Sequence, residues 1–160
     1  IEHLSSVSSM IANAGMHPGT IFISAKEEKA TEDDVERFQA DIDDNVITIE
    51  RVRTADNEPV VYCVDRVPAN LRPKEIICNQ NVSIFSALEQ TGSIRVAYAV
   101  TYIDPVGFND EVSPILKCGP ETALLVLKQL HYDENDRVVL YSKNYFRADK
   151  FSFHVVRKRV

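Results

Sequence analysis

The chain has 160 residues, with 18 Lys and Arg against 24 Asp and Glu and a formal net charge of −6. That length suits one domain with a core of its own, and 44% hydrophobic residues with only 5 Gly and 7 Pro exclude a disordered or low-complexity chain. The acidic balance argues against nucleic-acid binding by this chain alone, and no run nears the ~18 apolar residues of a membrane span.

In chain order, residues 5–15 read as a short helix, with Ser5, Ser6 and Ser8 as candidate N-caps and Gly15 as a stop. Residues 16–19 form a turn, and 20–26 a strand with Ile21 and Ile23 on one face. Thr31, followed by Glu32, Asp33 and Asp34, opens a second helix with a hydroxyl cap, acids in its first turn, and Val35 and Phe38 on one side. Residues 46–53 and 60–67 read as a hairpin around the polar turn 54–59, ended by Pro68. A loop over 70–81 precedes a helix from Ser83 to Gln90, closed by Gly92. A strand over 94–103 then stops at Asp104-Pro105, and 107–117 is helical in part, with Pro114 in a first turn or at a break. Residues 122–132 and 137–146 form a second hairpin, and 152–159 a final strand. Six or seven strands in hairpins, three or four short helices and no βαβ alternation predict an α+β fold: a mostly antiparallel sheet with flanking short helices.

Cysteines at 63, 78 and 118 are odd in number and lack CxxC spacing, and the histidines at 3, 17, 131 and 154 form no HxxxH or HExxH pattern. Neither a disulfide framework nor a metal site is expected, and reduced thiols point to a cytoplasmic protein. No signal-peptide pattern is present, and a start at Ile1 rather than Met predicts that an N-terminal portion has been removed.

Arg51 and Arg53, two apart on a strand, share a face with Ile47 and Ile49, so two guanidiniums continue an apolar row. Buried, such a pair needs an anionic partner and suits a carboxylate or phosphate. If strand twist turns the row outward, the pair meets surface acids instead. Ser5, Ser6 and Ser8, and separately Ser83, either cap helices or add donors to an anion-holding helix end. Cys63 reads as a small buried hydrophobe. No GxSxG, phosphate-binding glycine loop or paired-carboxylate signature appears.

The order of motifs carries more than any one of them. Leu4-Ser5-Ser6-Val7-Ser8 and Gly15-Met16-His17-Pro18-Gly19 are followed by Glu50-Arg51-Val52-Arg53-Thr54-Ala55-Asp56-Asn57-Glu58-Pro59 and Arg66-Val67-Pro68. Ser83-Ile84-Phe85, Leu88-Glu89, Tyr132-Asp133 and the closing run from Tyr145 to Phe153 come later. This series resembles the UTRA domain, the effector-binding domain of the HutC subfamily of GntR-type bacterial transcription regulators, over essentially residues 1–160. The resemblance implies a fold similar to chorismate lyase and a homodimer. It also implies a winged helix-turn-helix domain, absent from this chain, that binds operator DNA as in a repressor. It further implies a small anionic effector, phosphorylated metabolites included. Matched motif to motif, the ligand-binding positions fall on Ser6, Val7, Ser8, Arg51, Arg53 and Ser83. Three further family ligand positions, elsewhere occupied by glutamate, glutamate and tyrosine, are Cys63, Leu140 and Phe146 here, a departure that puts an anion with a flatter or more apolar body on a par with an amino-sugar phosphate. No catalysis, cofactor, metal or membrane contact is expected. The alternatives are a chorismate-lyase-like enzyme acting on an aromatic acid and a dimerisation module without ligand. The apolar run 123–127, read as apolar on both faces, adds to the expectation of a dimer.

Overall fold

A computed structural model describes residues 4–72, 82–92 and 94–159. The elements are α1 (Val7–Asn13), β1 (Pro18–Lys29), α2 (Glu32–Phe38), β2 (Asn45–Ala55), β3 (Glu58–Pro68), a 3₁₀ turn (Ala69–Leu71), α3 (Ile84–Gly92), β4 (Val96–Val106), α4 (Val112–Ile115), β5 (Leu124–Asp133) and β6 (Val138–Arg147). The strands form one sheet in the order β1-β2-β3-β6-β5-β4, every neighbour antiparallel. This is the α+β class expected from the hairpin pattern.

Local chemistry accounts for the element ends. Ser6 caps α1, its Oγ accepting from the Ser9 N–H at 3.1 Å, and Gly15 follows the helix at φ +80°. Thr31 and Asp34 close a reciprocal capping box at the start of α2. The β2–β3 turn is tighter than the expected polar turn. Only Asp56 and Asn57 lie outside the strands, at φ 49° and 67°, the left-handed pair that a two-residue hairpin needs and that Asx residues tolerate.

The six-strand sheet buries both faces differently. On the inner face, period-two positions of β2, β3 and β6 place Ile47, Ile49, Val67 and Leu140 against Ile84, Ala87 and Leu88 of α3. Further along the same strands, Val61, Cys63, Phe146 and Leu127 pack with Ile11 of α1. The opposite face is covered by α4 at one end, where Val112 and Leu116 meet Val52 and Leu124. At the other end α2 lies over it, with the Arg37 guanidinium 3.8 Å from the centre of the Tyr141 ring.

Two expectations are corrected. β4 runs through Pro105 to Val106, because it is an edge strand where the lost N–H has no ladder partner. Residues 152–159 form no strand: Phe151 and Phe153 meet Phe146 edge-on at 5.2 and 5.0 Å, so the alternation satisfies ring packing rather than pairing. The run 123–127 is largely packed within the chain, with Leu124 and Val126 buried on one face and Leu127 on the other, while Ala123 is exposed and Leu125 half-buried. Most of the loop expected over 70–81, with Cys78, lies outside the described residues.

Candidate functional site

Between the two apolar clusters of the inner face runs a polar band. The strand registers set it: Arg51 opposes Cys63, which opposes Asn144, and Asp65 opposes Ser142, which opposes Gln129. The band floors a cavity roofed by Leu4 to Val7 at the start of α1 and by Ser83 to Phe85 at the start of α3, with His131 also lining it. The cavity exists because the helices bury the apolar rows on either side and leave the polar middle uncovered.

Both arginines are turned inward; each is 4% exposed. Their partners differ. The Arg51 guanidinium donates to Asp65 Oδ2 at 3.1 Å and to the Val82 carbonyl at 3.2 Å, while Ser142 donates to the other Asp65 oxygen at 2.7 Å. Arg53 meets only hydroxyls, donating to Thr20 Oγ1 at 2.7 Å and to Ser8 Oγ. Among the described residues it has no ion pair. Among the described residues of the lining, two guanidiniums and one carboxylate leave one unit of positive charge. Burial, with repulsion from Arg51 second to it, lowers the Arg53 pKa from its ordinary value.

The remaining groups add no opposing charge. Burial pushes the Cys63 thiol up to about 12, with Asp65 adding to the effect, so it stays protonated. Burial also lowers the His131 pKa; its Nδ1 lies 3.3 Å from the Leu140 carbonyl oxygen and its ring meets Phe85 edge-on at 5.3 Å. The Ser83 hydroxyl accepts from the Phe85 N–H at 3.3 Å, and Gln129 donates to Thr101 at 3.0 Å. Two buried polar atoms of the lining, Arg51 Nε and Asn144 Oδ1, have no hydrogen-bond partner among the described residues. A positive, partly unsatisfied lining of this kind suits a small carboxylate or phosphate.

Of the residues singled out from sequence, Ser6, Val7, Arg51, Arg53, Cys63 and Ser83 line this one cavity, and Ser8 touches it through Arg53. Leu140 and Phe146 do not line it; each is fully enclosed in an apolar cluster to one side. Sequence reasoning missed Asp65, Gln129, His131, Ser142 and Asn144. The available signal was their placement at inward positions of otherwise apolar rows, Ser142 and Asn144 falling between Leu140 and Phe146.

The sequence profile of the UTRA domain matches residues 13–152. Over 153 residues the chain is 23% identical to the HTH-type transcriptional repressor NagR of Bacillus subtilis (strain 168), covering 96% of this chain and 63% of that protein. The chain thus spans less than two thirds of that relative's length. PhnF from Mycobacterium smegmatis superposes with a TM-score of 0.86 at 20% identity, over 98% of this chain and 69% of PhnF. The effector domain of PhnF alone gives 0.85 at 20% identity, over 96% and 95% of the two chains. A GntR-family transcriptional regulator from Enterococcus faecalis V583 gives 0.76 at 22% identity, over 87% of this chain and all of that one.

Proposed function

The chain belongs to the UTRA domain family, and from that premise we propose that it is the effector-sensing domain of a GntR-type transcription regulator, binding a small anionic metabolite in the cavity beneath α1 and α3. The observation that carries this reading is Arg53: a buried guanidinium that meets no carboxylate among the described residues, beside a second arginine whose one acid among them, Asp65, is already engaged. Burying an unpaired cation costs stability, and an arriving anion recovers that cost as binding free energy. Arg53 and the Nε–H of Arg51 take the anion, with the hydroxyls of Ser6, Ser8 and Ser83 around it.

The route from ligand to output is set by which pieces the ligand touches. Leu4 and Ser5, preceding α1, share the lining with the sheet residues Arg51 and Arg53, so an anion ties the segment leading into α1 to the rigid sheet. In a regulator, that segment leads back to a DNA-binding domain, and its ordering changes the geometry with which two such domains meet a two-fold operator. We place the domain in a homodimer for that reason; light scattering is expected to give twice 18.1 kDa. The role is sensing rather than catalysis: the matched relatives are regulators, and the cavity's thiol is held protonated.

Native mass spectrometry of the domain purified in volatile buffer tests the reading. A retained small anion, lost in Arg53→Met, supports it. Retention of a neutral molecule, or of the same anion by Arg53→Met, contradicts it.

A further inference from the structure

Anion capture by the arginines leaves one feature of the cavity unused. Asn144 is 6% exposed, and its Oδ1 is buried without a hydrogen-bond partner among the described residues. Its neighbours cannot supply one. Across the sheet it lies between Cys63 and Leu127, and along β6 between Ser142 and Phe146. The Ser142 hydroxyl proton is committed to Asp65 at 2.7 Å, and Leu127 and Phe146 have no side-chain polar atoms. Cys63 offers only a weak S–H donor. Two strands away in the same row, Arg51 Nε is the other unpaired buried atom. The cavity floor thus presents an unmet acceptor at one end and an unmet donor at the other. Buried polar groups are almost always paired, so two exceptions in one cavity mark where a ligand's own polar groups belong.

We propose that Asn144 is a specificity-determining residue that selects, among small anions, those carrying a hydrogen-bond donor such as a hydroxyl or amine on the part of the molecule remote from the anionic group. The inference rests on the anion reading above and extends it to the body of the effector. An anion held at Arg53 lies toward the rim near Ser8 and Thr20. Asn144 lies two strands across from β2, about 10 Å at the usual strand spacing. A bare anion cannot reach both places, whereas an anion with a short polar extension can. A ligand of the same length without the donor leaves the Asn144 carbonyl unpaired and covers it, so it is rejected rather than merely bound less well.

The test is a calorimetric comparison of ω-hydroxyalkyl phosphates of two to five carbons with alkyl phosphates of the same lengths, alongside inorganic phosphate. In the wild-type domain, at least one length is expected to favour the hydroxyalkyl member by about fivefold or more. In Asn144→Leu that preference is expected to fall within twofold of unity. Equal affinities within every pair in the wild type would overturn the proposal and leave the anion reading standing, and this arm needs no variant. A preference surviving in Asn144→Leu, or in Asn144→Ala if the leucine variant does not fold, would also overturn it. No binding of phosphate or of any member of the series would overturn both readings.

Discussion

Replacing each arginine by methionine separates two roles that look identical in the sequence. In Arg51→Met the Asp65 carboxylate loses its ion pair at 3.1 Å and keeps only Ser142, in a site where both side chains of the pair are 5% exposed. Breaking a buried pair from one side costs about 3–5 kcal/mol. At roughly 2–4 °C per kcal/mol for a chain of this size, the melting midpoint is expected to fall by about 6–20 °C. In Arg53→Met no carboxylate is orphaned. The hydroxyls of Thr20 and Ser8 are only half-buried and can turn to water, while the desolvation of one guanidinium and its repulsion with Arg51 both disappear. The unliganded Arg53→Met domain is therefore expected to melt within about 1 kcal/mol of wild type, a midpoint within roughly 4 °C. Differential scanning fluorimetry in a buffer free of phosphate and sulfate reads both. Equal losses for the two variants would show that Arg53 is a structural cation and would refute the charge accounting.

Acid and core variants extend the same reasoning. Burial alone would raise the Asp34 pKa, but hydrogen bonds from Arg66 and Thr31 outweigh it and hold the group down to about 2, against an unperturbed 3.8. Its folded pKa is depressed, so its contribution is whole above about pH 5 and is lost as pH falls toward 2; denaturation midpoints measured across that window should decline, and Asp34→Asn should flatten the decline. Leu140→Glu places an uncompensated carboxylate among Ile47, Ile49, Val67 and Leu88, and urea melts should show a loss of at least about 3 kcal/mol rather than a change in ligand preference. Cys63, protonated and buried, should resist iodoacetamide at pH 8 in the folded domain while half-buried Cys118 reacts first, as read by peptide mapping.

Strand periodicity placed two arginines of the candidate site on one row, the motif order supplied the other positions, and both ran out for identifiable reasons. The period-two row Ile47, Ile49, Arg51, Arg53 put two cations on an apolar face, and the structure shows that face turned inward. What the row cannot show is its cross-strand company. Asp65 comes from the adjacent strand of a hairpin, so its approach to Arg51 follows once the two-residue turn fixes the register. That turn was read as six residues, which left the register open. Ser142, Asn144, Gln129 and His131 enter through the order β3-β6-β5, a long-range arrangement that no local pattern encodes. The motif order reached Leu140 and Phe146, but it carried positions rather than environments. Helix α3 covers Leu140, and Phe151 and Phe153 close over Phe146. The closing segment misled for a related reason, since alternating phenylalanines serve ring packing as readily as a strand.

If one unpaired buried cation makes this cavity an anion sensor, calorimetric titration of inorganic phosphate into the wild-type domain and into Arg53→Met at matched ionic strength will show it. One saturable site per chain is expected in the wild type, weakened at least tenfold in the variant, with the unliganded stability of the two proteins alike. Equal phosphate affinity in both proteins, or no saturable binding to the wild type, would contradict it.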